Sequence, residues 1–222
     1  ASDESNDRFV SDPDHPVPYT EAITTGLTKE YMTDDQRFAV RRPDVLAYKT
    51  KPREEDVTLA GPIQAELWIA TSGSDSDWIV KLIDVFPDGA PNPEDAPPGK
   101  AMGGCQMMVR SEVIRGRFRE SYAQPKPFVP NEPTLVPLVL QDVLHTFVKG
   151  HRIMVQIQCT WFPLVDRNPQ KWVDNIYQAT DADFFAAEHR LFREAGHASF
   201  VAAGVLPAAA PDAAPVKSAP GS

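Results

Sequence analysis

Serine, cysteine and histidine, the residue types that carry most nucleophilic catalysis, are present in this chain, but their spacing matches no catalytic pattern. A serine hydrolase of the α/β type places its nucleophile in a G-x-S-x-G turn. Here Ser74 lies in TSGSDSD and is followed by Asp75. The five histidines show neither H-x-x-x-H nor H-E-x-x-H spacing. The sequence therefore predicts no catalytic triad within these 222 residues.

Thiol chemistry and metal binding are weaker alternatives. Cys105 follows Gly103 and Gly104 at the end of a long loop, and nothing in the sequence brings an activating base to it. Four aspartates offer oxygen ligands of the kind that Ca²⁺ prefers, but they complete no D-x-D-x-D-G loop; they are Asp75, Asp77, Asp84 and Asp88. We predict no metal site and no cofactor.

Three polar clusters with a neighbouring aromatic residue are the most informative groups. They are DDQRF at residues 34–38, GRFRES at 116–121 and DRNP at 166–169. If GRFRES continues a strand, Arg117 and Arg119 point to the same side of it. Each cluster by itself fits an exposed turn equally well. Together they are typical of the core and rim of an interface between domains.

The composition excludes several classes of partner. The 22 basic and 31 acidic residues give a net charge of −9, and the basic residues are scattered, so the phosphate-neutralising surface of a nucleic-acid-binding protein is missing. No apolar run approaches the roughly 20 residues that cross a bilayer, and no secretory leader opens the chain. We expect neither nucleic acid nor membrane as a partner.

The elements that would position these clusters are strands. From Val45 onward, short runs rich in Val, Ile, Leu and aromatic residues alternate with turn residues, which predicts an antiparallel all-β domain. In IQAELWIATS, Ile63 and Leu67 share the predicted core face. The stretch DWIVKLIDVFP is apolar on both faces except at Lys81 and Asp84, which predicts a central strand covered on both sides.

Three further elements follow from local patterns. The pair LVLQDVLHTFV and HRIMVQIQCT is joined by Lys149-Gly150, which predicts a hairpin with Gly150 at positive φ. The spacing of Phe184, Leu191 and their neighbours predicts one short helix over 181–195, with a strand containing EHRLF as the alternative. Cys159 falls on the inward face of its strand and is expected to be buried.

The chain divides into three parts by composition. Residues 1–44 are polar and rich in proline, which predicts an extended N-terminal arm; 45–206 form the predicted β-sandwich; 207–222 are Ala-, Pro- and Ser-rich and predict a flexible tail. The long stretch 87–104 is dominated by Pro and Gly and predicts a surface loop. Because ASDESNDR has no apolar periodicity, we expect this chain to be part of a longer polypeptide.

Several separated motifs resemble one family. FVSDPDHPVPY, DQRF-x-x-x-RPDVL, TSGSDSDW-x-VKLIDV, IRGRFRES, HTF-x-x-GHRIMVQ and FPL-x-DRNPQ, spread over residues 9–185, are similar to the C-terminal domain of α-amino-acid ester hydrolases. These enzymes are grouped with cocaine esterase and X-Pro dipeptidyl-peptidases. The resemblance implies a jelly-roll β-sandwich, like galactose-binding modules, that packs on an α/β-hydrolase domain and its helical cap. It also implies that the serine triad belongs to that other part of the enzyme.

The resemblance suggests roles for the polar clusters. We expect an interface with the hydrolase and cap domains at the ends of the strands. We also expect a charge-assisted bond from Arg119 or Arg167, either to an Asp or Glu of this chain or to the hydrolase domain. The segment from Tyr31 to Gln36 is the candidate wall of an acyl pocket for a small-molecule substrate. The predicted interface residues are Arg117, Arg119, Phe162, Asp166, Arg167 and Asn168; the predicted pocket-wall residues are Tyr31, Met32, Asp35 and Gln36.

A different class of function is compatible with the same fold. A carbohydrate-binding sandwich would use an exposed Trp68, Trp78 or Trp172 as a stacking platform. A self-contained thiol enzyme using Cys105 is the third hypothesis. The resemblance implies a periplasmic or secreted location, with the cytoplasm as the alternative, and allows a homo-oligomer.

Overall fold

The computed structural model describes residues 5–22, 24, 26–94 and 101–207. These residues form two antiparallel β-sheets packed face to face, with four 3-10 turns and one short helix between strands. The predicted all-β sandwich is therefore confirmed. The tail beyond Pro207 and residues 95–100 of the predicted surface loop lie outside the described residues.

The first sheet contains five strands in the order β1-β8-β3-β6, with β9 pairing with β3 beside β8. These are β1 (Asn6–Ser11), β3 (Val57–Thr71), β6 (Thr134–Phe147), β8 (Ala187–Phe192) and β9 (Phe200–Val205). Strand β3 is long enough to pair with β8 near its end and with β9 along its first part. A register shift at Gly61, where φ is +87°, interrupts the pairing of β3 with β6 and falls within the part of β3 that pairs with β9.

The second sheet contains four strands in the order β2-β7-β4-β5. These are β2 (Leu46–Lys49), β4 (Asp77–Val85), β5 (Gln106–Arg115) and β7 (Arg152–Gln158). The helix α1 (Arg37–Val40) precedes β2, and the 3-10 turns are Glu30–Met32, Gly116–Phe118, Ile176–Gln178 and Asp181–Asp183.

The core lies between the two sheets. On β3 the predicted core face is buried throughout, with Ile63, Leu67 and Ile69 each at most 1% exposed. On β4 the alternate residues Trp78, Val80 and Leu82 face this core. Burying a side chain of this size contributes about 1.5–3 kcal/mol. The period-two pattern therefore identified the core correctly.

The opposite face of β4 is also covered, as the sequence predicted. Ile79 packs there against Tyr19 and Trp161, with Tyr31 beside them. The described residues of the segment 17–45 thus form a third layer over the outer face of the second sheet. This layer belongs to the segment interpreted as an irregular arm, and within the same segment residues Asn6–Ser11 form β1, which pairs with β8.

The predicted helix over 181–195 is wrong, and the alternative strand is correct. Asp181–Asp183 form a 3-10 turn with Thr180 as its N-cap, and Ala187–Phe192 form β8. On β8 Ala187, His189 and Leu191 face the core. The only α-helix among the described residues is α1, within the N-terminal segment.

The predicted hairpin at Lys149-Gly150 is also wrong, although Gly150 does adopt a positive φ of +89°. Strand β6 pairs with β3 in the first sheet, whereas β7 pairs with β2 and β4 in the second. The turn therefore carries the chain from one sheet to the other. Among the described residues no helix is long and apolar enough to cross a membrane.

Candidate functional site

A buried charge network joins three loops at one end of the second sheet. Arg117 donates from Nε to Asp75 at 2.8 Å, and a second guanidinium nitrogen lies 2.6 Å from the same carboxylate. It also donates to the Val173 carbonyl at 2.9 Å, and its guanidinium lies 4.3 Å from the centre of the Trp172 ring. Arg117 is 6% exposed, so this ion pair is desolvated. This ion pair belongs to a group of contacts that we call the buried network. Its members are Asp75, Asp77, Arg115, Arg117 and Asn168.

Asp77 is the second carboxylate of the buried network. Asn168 donates to it at 2.8 Å, and the Arg115 guanidinium lies 3.3 Å away. Burial raises the pKa of Asp77 to about 6, because desolvation outweighs the favourable contact with Arg115. The side-chain oxygen Oδ1 of Asn168 in turn accepts a hydrogen bond from the Gln170 backbone N–H at 2.9 Å.

This geometry separates the predicted interface residues into two groups. The side chains of Arg117 and Asn168 are buried and bonded within this chain, so they hold its loops together. The expected common direction of Arg117 and Arg119 is wrong, because Gly116–Phe118 form a 3-10 turn and no longer follow the strand. Arg119 donates to the carbonyls of Lys126 and Pro127 and stacks over Phe128 at 4.3 Å.

The other group lies at the surface. Arg167 places its guanidinium 4.9 Å from the Phe184 ring and 5.9 Å from the Phe162 ring. It donates to the Pro13 carbonyl at 2.9 Å and forms an ion pair with Asp14 at 3.4 Å. The expected charge-assisted bond from Arg119 or Arg167 to a carboxylate is therefore present at Arg167.

Backbone contacts with the N-terminal segment fix this surface. Phe162 donates its backbone N–H to the Val17 carbonyl at 3.0 Å and accepts from the Tyr19 N–H at 3.0 Å. Its side chain is 40% exposed, as is that of Phe185, and Tyr177 is 77% exposed. We call this surface the docking face; it consists of Phe162, Asp166, Arg167, Tyr177, Phe184 and Phe185.

The docking face combines apolar rings with few charges. Asp166 accepts a hydrogen bond from the Tyr177 hydroxyl at 2.9 Å, and Arg167 lies among the aromatic rings. Aromatic residues and arginine are the types enriched at protein–protein interfaces. Sequence reasoning missed Phe184, Phe185 and Tyr177, although a pair of adjacent phenylalanines next to a polar turn was a usable signal.

The predicted pocket wall is mostly committed to internal contacts. Tyr31 packs on Tyr19 and edge-on to Trp161, with ring centres 5.6 Å and 5.8 Å apart. Asp35 forms an ion pair with Arg37, and Gln36 is fully buried. Of the four predicted wall residues, Met32 presents the most side chain to solvent, at 48% exposed. The four lie in one segment, and among them Met32 is the exposed side chain.

Lys81 on β4 holds residues 31–36 through a buried hydrogen bond to Gln36. Its side chain is fully buried, its Nζ donates to Gln36 Oε1 at 3.0 Å, and it lies 4.5 Å from the centre of the Trp161 ring. Desolvation lowers the pKa of Lys81 to about 7. The sequence had already marked Lys81 as an exception in an apolar strand, and its partner Gln36 lies 45 positions earlier.

The alternative functions lose most of the residues proposed for them. Trp78 is fully buried, and the Trp172 ring is covered by Arg117, so neither offers a free stacking surface; Trp68 is half-buried against His197. Neither cysteine forms a disulfide; Cys159 is buried as predicted, and burial raises the pKa of its thiol.

His145, His151 and His189 contact other residues of this chain. His145 and His151 each lie 2.9 Å from a different oxygen of Asp84, and His189 is in the core between Phe9 and Trp78. Of the four aspartates considered as oxygen ligands, Asp75, Asp77 and Asp84 are buried. Within the described ranges no group of three or more His, Cys, Asp or Glu is arranged to hold a metal ion.

Comparison with known proteins agrees with this architecture. Residues 4–202 match the family described as the X-Pro dipeptidyl-peptidase C-terminal non-catalytic domain. The cocaine esterase of Rhodococcus sp. (strain MB1 Bresler) is 33% identical over 165 residues, which are 74% of this chain and 26% of that protein.

Two solved structures share both fold and sequence. An aminopeptidase from the marine sediment archaeon Thaumarchaeota archaeon is 41% identical, with a TM-score of 0.85 over 93% of this chain and 34% of its own. An α-amino acid ester hydrolase is 40% identical, with a TM-score of 0.85 over 93% of this chain and 33% of its own. The chain thus spans about a quarter to a third of the length of these relatives. It belongs to the X-Pro dipeptidyl-peptidase C-terminal non-catalytic domain family.

Proposed function

We propose that this chain is the supporting β-sandwich of a serine hydrolase that acts on esters and amides of α-amino acids, with β-lactam acyl groups and X-Pro peptides as further substrate classes. Its role is to hold an α/β-hydrolase domain and cap in place. The relatives are an esterase, an aminopeptidase and an α-amino acid ester hydrolase, all much longer than this chain. The shared chemistry is attack on an acyl carbon, which in the proposed serine hydrolase is made by a Ser nucleophile outside the described residues.

The docking face is the observation that best supports this role. Phe162, Phe185 and Tyr177 are exposed although the chain has a well-packed core. Exposed aromatic clusters of this kind are typical of interaction surfaces. The Arg167 guanidinium sits among them and offers further N–H donors to a facing carboxylate or carbonyl. The Pro13 and Asp14 contacts hold that guanidinium at the surface.

The finer part of the proposal is that residues 31–36 form one wall of the acyl pocket. Met32 is the side chain available for contact with an apolar acyl group, and Tyr31 and Gln36 hold it in place through Trp161 and Lys81. Positioning of this kind raises the rate by fixing the acyl group near the nucleophile. Met32→Ala is then expected to change KM for bulky acyl groups more than for small ones.

The decisive experiment is reconstitution from separate parts. The chain and the hydrolase-plus-cap portion encoded with it are produced separately, and their association is measured by isothermal titration calorimetry alongside esterase activity. We expect a saturable complex and activity that rises on mixing, with no turnover by the chain alone. Turnover by the pure chain, or no association, would contradict the proposal.

Matched variants locate the interface. The double change Phe162→Ala and Arg167→Ala removes the centre of the docking face, and truncation of an interface centre typically weakens binding by about 2 kcal/mol or more. The control is Tyr122→Ala: Tyr122 is 83% exposed but stacks on Phe118 on another flank of the sandwich. Equal affinity for both variants would place the interface elsewhere.

A further inference from the structure

An apolar cavity of about 420 Å³ opens between the two sheets at one flank of the sandwich. One wall comes from Ile153, Val155 and Ile157 on β7, and the opposite wall from Leu67 on β3 and Leu191 on β8. The flank is open here because β2 and β9 are both edge strands and do not pair with each other. The size lies within the range of roughly 300–1,000 Å³ found for small-molecule sites.

The cavity continues along the strands. A second, smaller cavity of about 170 Å³ shares Ile153, Val155 and Val201 with the first and extends towards Leu59 and Leu82. Together the two spaces follow β3 from Leu67 to Leu59 and are lined mostly by aliphatic side chains. Such a shape fits an extended hydrocarbon chain, which gains free energy for every methylene group removed from water.

Among the described residues, the mouth of the cavity is polar and carries two cations and one carboxylate. Tyr48, Lys49 and Arg193 line it. Asp7 accepts from the Tyr48 hydroxyl at 2.5 Å and forms an ion pair with Arg193 at 2.8 Å. Of the residues described at the mouth, Lys49 and Arg193 are cationic and Asp7 is anionic. Lys49 is exposed.

The same contacts define the mouth structurally. The Tyr48–Asp7 bond joins β2 of one sheet to β1 of the other, so the two sheets are tied together beside the opening. Burial, followed by this bond to Asp7, raises the pKa of the Tyr48 phenol, so the hydroxyl stays protonated and remains a donor. A rigid polar rim above an apolar interior is the usual plan of a small-molecule site.

We propose that this flank binds a linear, medium-chain monocarboxylate, with the hydrocarbon chain between the sheets and the carboxylate at the mouth beside Lys49. The charge at the mouth selects an anionic head group over a cationic one, and the elongated interior selects a linear tail. The site lies between the sheets and away from the docking face, so this proposal stands independently of the catalytic partner.

Octanoate is the probe. The isotope-labelled chain is titrated with sodium octanoate and followed by methyl and amide NMR. Saturable shifts are expected at Val155, Leu191 and Val201. In a hexanoate, octanoate and decanoate series, affinity should rise by roughly fourfold per methylene, the value that corresponds to burial of one CH₂ group. Octylamine, with the same tail and the opposite charge, should bind roughly five- to tenfold more weakly.

Two variants test the head and the tail separately. Lys49→Glu changes an exposed residue and should weaken octanoate roughly five- to tenfold, while the matched exposed control Lys29→Glu, on the layer over the other face of the second sheet, should leave it unchanged. Val201→Phe fills the interior and should abolish binding, with thermal unfolding used to check that the variant folds. If it does not fold, the chain-length series and Lys49→Glu still decide.

The outcomes that overturn the proposal are specific. Absence of saturable shifts with octanoate, or shifts confined to another flank, would show that the cavity binds no such ligand. Equal affinity for octylamine would show that the mouth does not recognise an anion. An affinity independent of chain length would show that the hydrocarbon does not enter the space between the sheets.

Discussion

Arg117 and Arg167 both follow strands of the second sheet and both form an ion pair with an aspartate, yet they serve different purposes. The Arg117–Asp75 pair is 2.6 Å long, with its side chains 6% and 0% exposed. The Arg167–Asp14 pair is 3.4 Å long, with side chains 33% and 76% exposed. From the sequence, both arginines were predicted to lie at the same interface. The structure assigns the first to holding the domain together and leaves the second available at the surface.

This difference shows what burial does to a charged residue. Inside the protein, each charge needs its partner, because an uncompensated buried charge costs far more than an exposed one. At the surface, water replaces a lost partner, so the same residue contributes little to stability and can instead contact another domain. Changes in the buried network should therefore affect folding, and changes in the docking face should affect association.

The largest effect is expected for Arg117→Ala. Removing the guanidinium leaves the fully buried Asp75 carboxylate without its ion pair, which should lower the free energy of unfolding by about 3–5 kcal/mol. Urea denaturation followed by tryptophan fluorescence measures this. Arg41→Ala, an exposed arginine, is the control. A loss below about 1 kcal/mol for Arg117→Ala would show that the pair is not the structural link we infer.

Asp77 should give the buried network its own pH dependence. Its folded pKa of about 6 lies above the ordinary value of 3.8, so the folded state binds the proton more tightly. The stability due to this group is full below about pH 4 and is lost as the pH rises through about 6. Asp77→Asn removes the titration. The free energy of unfolding of the parent chain minus that of the variant should fall by about 2 kcal/mol between pH 4 and 7. A difference that stays constant with pH would contradict the raised pKa.

Asn168→Ala should have a smaller effect. It removes the hydrogen bond to Asp77 and the acceptor of the Gln170 N–H, both buried, at a cost of about 1–3 kcal/mol. Chemical denaturation gives the value, with the exposed amide of Gln178→Ala as the control. If both variants unfold at the same denaturant concentration, Asn168 does not link the loop after β7 to the second sheet.

Of these variants, Arg167→Ala should have the smallest effect on the free energy of unfolding, and its main effect should be on association. Loss of an exposed ion pair and of exposed contacts with Phe162 and Phe184 should lower the free energy of unfolding by about 1 kcal/mol. Thermal unfolding of the free chain measures it. The same variant should weaken association with the hydrolase portion. If Arg167→Ala lowers the free energy of unfolding as much as Arg117→Ala does, the buried network and the docking face do not differ as we infer.

The features that were predictable from the sequence are those encoded locally. Ile63, Leu67 and Ile69 alternate with polar residues, so the core face of β3 is determined by the period of the strand itself. The positive φ of Gly150 likewise follows from the residue type in a turn. The sheet to which each neighbouring strand belongs did not follow, because strand pairing depends on segments distant in the chain.

The error at β8 has a specific cause. The run from Phe184 to Phe192 contains apolar residues at both helical and strand spacing, and His189 interrupts the strand pattern because histidine is usually counted as polar. In the structure His189 is fully buried between Phe9 and Trp78, and desolvation lowers its pKa to about 3, so it is a neutral core residue. Only its surroundings reveal that.

By itself the sequence determined the all-β class, the buried face of the long strand, the double-sided cover of β4 and the family motifs, because each depends on residues within one short segment. The tertiary structure decided which polar residues are internal and which face outward. Asp75 meets Arg117 across 42 positions, and Asp77 meets Asn168 across 91. The burial of a charge depends on such distant segments coming together, and no local pattern records it.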